Sequence, residues 1–243
     1  MSTGERPDRR VCLLTGAGSP LGTAFCRAYV DRYDIVAVCR NRVPDVPSQF
    51  ERFVDPLAPE AELAENGHRV HVVYADLEQP GQVERVVDLA LARFGAVDLL
   101  VNNAAYTRLH RPGLIDDAGV MADFDRHFAV NVGLPQRLAG RLAETSWRDD
   151  VVANRRRNRN VVNVSSLSAS RIYPGGQAVY AASKAALNQL TRHQAAEFAA
   201  LGVRANALAP TSFPTLVATE RVARGIAQLD AETVSGRVLV VDA

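Results

Sequence analysis

Seven short β-rich apolar runs recur along the chain, at residues 11–14, 35–39, 70–74, 99–101, 161–164, 203–208 and 238–241. Few folds can bury so many. Most of the runs are continuous in apolar residues, as parallel strands covered on both faces require. Helical patterns fill the gaps at residues 20–30, 80–94, 123–144 and 178–201. Val83, Val86, Val87 and Ala90 fall at helical spacing, and the 178–201 stretch is rich in alanine, a strong helix former. Strand–helix alternation predicts an α/β fold: a doubly wound parallel sheet of about seven strands, with right-handed crossovers and flanking helices. The length of 243 residues and 47 % hydrophobic content fit a single domain, 1–243. The proline-rich segment 41–59 and the charged segment 148–160 read as connections. In the latter, Arg155, Arg156, Arg157 and Arg159 read as a solvated surface loop, with an anion or partner contact as the alternative.

Charge and composition narrow the function. A net charge of +1 creates no field favouring nucleic acid or an anionic membrane. No apolar run reaches the roughly 18 residues of a membrane span. The N-terminal MSTGERPDRR has no apolar segment behind it, so the expected compartment is the cytoplasm. Cys12, Cys26 and Cys39 lack metal-ligand spacing and read as small core residues. The five histidines form no i, i+4 pair, and no metal site is expected.

TGAGSPLG, Thr15 to Gly22, closes the first strand and opens the first helix. In that setting glycines permit a tight turn and close approach to a pyrophosphate, while the helix N-terminus offers amide donors. Thr15, Gly16 and Gly22 are therefore cofactor-site candidates. Pro20 stands where such loops usually carry another glycine. It suits the first turn of a helix, removes one phosphate donor and restricts Ser19 to extended geometry. The Ser19 and Leu21 amides are expected to remain for binding. The second strand ends in AVCRN, without the carboxylate that bonds a ribose hydroxyl in NAD-preferring sites. Arg40 there suits a 2′-phosphate, so NADP(H) is preferred and NAD(H) stays possible.

VYAASKAAL places Tyr180 and Lys184 four apart, on one face of a helix. An ammonium nearby lowers a tyrosine pKa and fits it for acid–base work. Lys184 is the sole lysine among 28 basic residues, in a chain that otherwise uses arginine. A compact, tunable ammonium is not replaceable by guanidinium. Upstream, VVNVSS ends a buried strand in Ser165 and Ser166, where a hydroxyl would reach a substrate carbonyl.

Taken in order, TGAGSPLG, Asp76 after the third strand, NNAA, Asn131, Ser166, Tyr180, Lys184 and ANALAP resemble the short-chain dehydrogenase/reductase family over nearly the whole chain. The resemblance implies a Rossmann-type fold and an NADP(H)-dependent oxidoreductase. It implies that Tyr180 exchanges a proton with the substrate oxygen and that Ser166 orients the carbonyl. Lys184 would lower the tyrosine pKa and bond the nicotinamide ribose, and Asn131 would hold a water in a proton relay. Asp76 would contact the adenine, and Leu77, Asn102 and Ala104 the cofactor nearby. Pro210 would sit beside the nicotinamide. Family members commonly form homodimers or homotetramers, and the same is expected here.

The chain departs from the family at several places. Ala105 replaces the last glycine of NNAG, and Thr211 replaces a glycine after Pro210. Ser166 and Tyr180 are 14 apart, about one more than usual. Only the 27 residues 211–237 separate the sixth and seventh strands, so the substrate lid is shortened. That suggests an open pocket, a bulky or carrier-bound substrate, or a wall lent by another subunit. Leu167, Ile172, Tyr173, Gln177, Thr211 and Phe213 are candidate lining residues. Arg108, His110 and Arg111 would flank the mouth and attract a carboxylate or phosphate, or form a solvated basic loop. The expected reaction is ketone reduction with Tyr180 as proton donor. The alternatives are pteridine-type C=N reduction and a catalytically silent nucleotide-binding sensor or scaffold.

Overall fold

The computed structural model describes residues 9–50, 68–115 and 117–243. The strands among them are β1 (Arg10–Thr15), β2 (Tyr33–Cys39), β3 (Gln49–Phe50), β4 (Val70–Tyr74), β5 (Leu99–Asn102), β6 (Asn160–Val164), β7 (Arg204–Pro210) and β8 (Val238–Val241). All pair in parallel, in the order β3-β4-β2-β1-β5-β6-β7-β8. Seven strands fall on the seven expected runs. The additional one, β3, is a two-residue edge strand within the segment read as loop, and residues 51–59 of that segment lie outside the described residues.

β1 shows why the strands read as unbroken apolar runs. Val11 and Leu13 face a core shared with α2 (Gln82–Phe94), α5 (Leu134–Leu142) and α7 (Ala178–Phe198). Cys12 and Leu14 face a second core with α1 (Pro20–Tyr29) and α8 (Thr219–Ala231). Successive side chains point to opposite faces, and both faces are covered. All three cysteines are buried thiols. Burial pushes the Cys26 thiol up to about 12 and that of Cys39 up to about 11, so neither supplies thiolate near neutral pH.

Two expectations change. Residues 123–144 are not one helix. After the short α3 (Asp117–Ala122), α4 (Phe124–Phe128) runs through a π turn, Ala129–Gly133, into α5, and a second π turn, Ala143–Trp147, follows. Pro135 has no N–H to give the Asn131 carbonyl four residues back, so the ladder slips to wider spacing there. Segment 148–160 is not a surface loop either. It contains α6 (Val151–Arg156), capped by Asp150, whose carboxylate accepts from the Ala153 amide. Arg155 and Arg156 are exposed, but Arg157 and Arg159 turn inward to the buried Asp98, at 2.6 and 3.4 Å. A buried carboxylate requires such partners.

Candidate active site

Strand order reverses at β1, which has β2 on one side and β5 on the other. Crossovers leave β1 and β5 in opposite directions, opening a crevice at the carboxyl ends of the strands. A cavity of about 970 Å³ lies there. Gly16, Ser19, Pro20 and Leu21 line it at one point, the ends of β2 and β4 at another, and Ser166, Tyr180 and Lys184 at a third.

The glycine loop is held from behind. Gly16 has φ +63°, a conformation that favours glycine. A Cβ at Gly18 would stand 1.8 Å from the Arg42 carbonyl oxygen, so only glycine lets the loop meet the end of β2. Asn103 Nδ2 donates to the carbonyls of Thr15 and Gly16 and to Ser19 Oγ, at 2.9–3.1 Å. Thr15 Oγ1 accepts from the Asn103 and Ala104 amides. Thr15 and Gly22 therefore do not line the cavity, as the sequence suggests they would. Thr15 fastens the loop to β5, and Gly22 packs the helix against the Ala17 carbonyl. Ser19 is extended (φ −74°, ψ 164°) and caps α1 by accepting from the Gly22 amide, with Pro20 in the first turn. Its own amide donates to the Gly16 carbonyl, so of the two donors expected to flank Pro20 that of Leu21 remains for a ligand.

Cys39, Arg40, Asn41, Arg42, Asp76, Leu77 and Glu78 form the far end of the cavity. Arg40 is exposed and pairs with Glu78 at 3.3 Å. Asn102, expected at the cofactor, is turned away. It is buried in β5 and donates to Asn163 Oδ1 of the neighbouring strand. Its neighbour Asn103 takes the place beside the loop, along with Ala104.

At the near end, β6 delivers Ser166 and α7 delivers Tyr180 and Lys184. Ser165 Oγ donates to the Lys184 carbonyl and sets the register of helix against strand. Lys184 is fully buried; Nζ donates to the Val164 carbonyl at 2.8 Å and lies 5.8 Å from the centre of the Tyr180 ring. Burial pushes its pKa down to about 7. Burial also pushes the Tyr180 hydroxyl above its usual value, against a hydrogen bond from Ser166. Desolvation outweighs that bond in this geometry. Ser166 Oγ accepts from the amide and hydroxyl of Ser168, which leaves its own proton to donate.

Residues 10–224 match the family model for short chain dehydrogenase. The chain belongs to the short-chain dehydrogenase family. It is 30 % identical over 231 residues to the oxidoreductase UcpA of Escherichia coli K12, covering 93 % of this chain and 77 % of that protein. It is 30 % identical over 216 residues to the 2-(R)-hydroxypropyl-CoM dehydrogenase of Xanthobacter autotrophicus, covering 85 % of this chain and 75 % of that one. Among solved structures, a 3-ketoacyl-(acyl-carrier-protein) reductase from Brucella melitensis, complexed with NADH, superposes with TM-score 0.76 at 25 % identity, over 96 % of both chains.

Asn131 is fully buried, and its side chain is occupied by protein: Oδ1 accepts from the Tyr106 amide, and Nδ2 donates to the Tyr106 carbonyl and Ser183 Oγ. It positions the Tyr106 backbone. Leu167, Tyr173, Gln177, Thr211 and Phe213 line the cavity with Pro210, whereas Ile172 is 99 % exposed and does not. Arg108 and His110 both reach Asp123 at 3.2 Å, and Tyr106 donates to the same carboxylate at 2.6 Å. The Tyr106 bond, with the nearby cations, holds Asp123 below the usual carboxylate range. Arg108 and His110 thus serve an internal carboxylate, while Arg111 is exposed. α8 packs against α1, and of the segment between β7 and α8 the residues Thr211, Ser212, Phe213 and Thr215 line the cavity. Asn103, Arg42, Glu78 and Tyr106 line the site without having stood out in sequence. The second Asn of NNAA and the second Arg of CRNR were the available signals for two of them.

Proposed function

We propose that this single-domain chain is an NADP(H)-dependent ketoreductase acting on a bulky or carrier-linked carbonyl compound. One observation carries the reading: Ser166, Tyr180 and the buried, sole Lys184 share the wall of a cavity whose other end presents a glycine loop and two arginines. The residues fit a nicotinamide dinucleotide. The tight turn at Gly16, with its positive φ, and the Leu21 amide at the start of α1 suit a pyrophosphate, and Arg40 and Arg42 suit a phosphate on the ribose. The nicotinamide, when bound, supplies the hydride.

The chain's own residues supply the proton and the orientation. Tyr180 is protonated at neutral pH, the state in which it donates to a developing alkoxide. Ser166 accepts from Ser168 and gives its own proton to Tyr180, and turning that proton to the carbonyl oxygen orients the substrate. Lys184 sits near its midpoint at pH 7, and negative charge placed beside it favours the ammonium. The short 211–218 segment supports a substrate too large for a closed lid. Among the described residues no helix is long and apolar enough to cross a membrane and no metal cluster occurs. We place the protein in the cytoplasm as a homodimer or homotetramer, which light scattering tests.

A silent nucleotide-binding protein is the second reading, favoured by Pro20 and by the Ser19 amide being committed to the loop. Titration with NADPH and NADH, followed by nicotinamide fluorescence, separates the two together with Tyr180→Phe. A reductase loses turnover by about 10²–10⁴-fold in that variant while its coenzyme affinity holds. Binding without any wild-type turnover across a ketone panel defeats the reductase reading.

A further inference from the structure

Glu78 follows Asp76 and Leu77 in the turn between β4 and α2 and lines the cavity beside Arg40. Three bonds converge on its carboxylate. Arg126, on α4, donates from Nε to Oε2 at 2.8 Å and from Nη2 to Oε1 at 2.9 Å. Arg40 donates from Nη1 to Oε1 at 3.3 Å. The two-pronged pair is the tighter geometry, and it raises the Arg126 pKa above its usual value. Arg126 is itself seated, with its guanidinium 4.5 Å from the centre of the Tyr106 ring. Glu78 is therefore an anchored carboxylate, and Arg40, 56 % exposed, is its looser partner.

We infer that Glu78 is a specificity-determining residue that limits the preference for NADP(H) over NAD(H) by competing with the 2′-phosphate for Arg40. This rests on the coenzyme reading above, in which Arg40 meets that phosphate. An exposed, single-bond ion pair is weak, so a phosphate can take the guanidinium. The carboxylate stays behind, because Arg126 holds it. A phosphate and a carboxylate facing one guanidinium repel each other, and NAD(H) lacks the phosphate that feels this. Arg126 offsets part of the charge, which lets the site accept NADP(H) at all. An orienting role for Glu78 gives the opposite sign, since Arg40 would then lose its guide when the carboxylate is neutralised.

The test is the Kd of NADPH and of NADH on the full chain, for wild type, Glu78→Gln, Arg126→Gln and Arg40→Gln, at low and high salt. Glu78→Gln should raise the NADH-to-NADPH Kd ratio about three- to tenfold at low salt. The gain should shrink as salt screens it. Arg126→Gln should lower the ratio, because Glu78 then acts with its full charge. A general loss of structure weakens both coenzymes and leaves the ratio alone, so the ratio reports the site. If Arg40→Gln lowers the ratio but Glu78→Gln leaves it unchanged or lowers it, this inference is overturned and the coenzyme reading survives. If Arg40→Gln leaves the ratio unchanged, both fall.

Discussion

Lys184 carries a cost that only its site explains. It lies buried in the cavity wall with a single carbonyl partner, and among the described residues it forms no ion pair. Its pKa drops from 10.5 to about 7, so between those values the folded chain binds one proton fewer than the unfolded chain. Stability must therefore rise with pH across this window. Thermal melts from pH 7 to 9.5 should show that rise in wild type and a flatter profile in Lys184→Met. An equal slope in both would place the titration elsewhere. The same variant should lose turnover, since methionine packs but carries no charge.

The β1–α1 element shows how a glycine loop tolerates a proline. Ser19 caps the helix and Pro20 fits its first turn, so the geometry is kept while one donor is lost. Pro20→Gly restores that donor and loosens the chain. It should tighten coenzyme binding about three- to tenfold and cost about 1 kcal/mol of stability, read from Kd and from denaturant unfolding. Weaker binding in that variant would mean that the proline holds the loop in its binding shape. Asn103 links the same loop to β5 through three bonds. Asn103→Ala should weaken coenzyme binding without touching any group that meets the nicotinamide ring, and unchanged affinity would show the loop to be rigid without it.

At the scale of the whole molecule, the two ends of the sheet have different tasks. The carboxyl ends of the strands open into the cavity. The amino ends are closed by buried ion pairs: Asp98 with Arg157 and Arg159, and Asp230 with Arg10 and the Tyr33 hydroxyl. Burial alone would push the Asp98 carboxyl up, but the Arg157 bond and the Val11 amide bring it below the usual range. Asp98→Asn leaves two arginines short of a counter-charge and should cost about 3–5 kcal/mol. Trp147, the one tryptophan and fully buried, reports that unfolding by fluorescence. Coenzyme affinity should stay at the wild-type value, and a parallel loss would couple the two ends.

The sequence by itself determined the layers and the order of the motifs. Parallel strands covered on both faces leave long apolar runs, and glycine and proline mark the turns between them, so seven strands and the Ser166, Tyr180 and Lys184 positions were legible. These are local signals, written within a few residues. β3 was not legible, because a two-residue edge strand leaves no period to read. Nor was the break in the 123–144 helix, where a single proline shifts the ladder of the preceding turn. The direction of a side chain was decided only by tertiary structure. Asn102 and Asn103 are equal in sequence, yet one is spent inside the sheet and the other holds the glycine loop. Arg157 and Arg159 read as surface until Asp98 is seen beneath them. Arg40 reads as a free cation until β4 brings Glu78 beside it and α4 brings Arg126 to anchor that carboxylate. Charge partners separated by tens of residues meet only when the chain folds, and the electrostatics of the site come from those meetings.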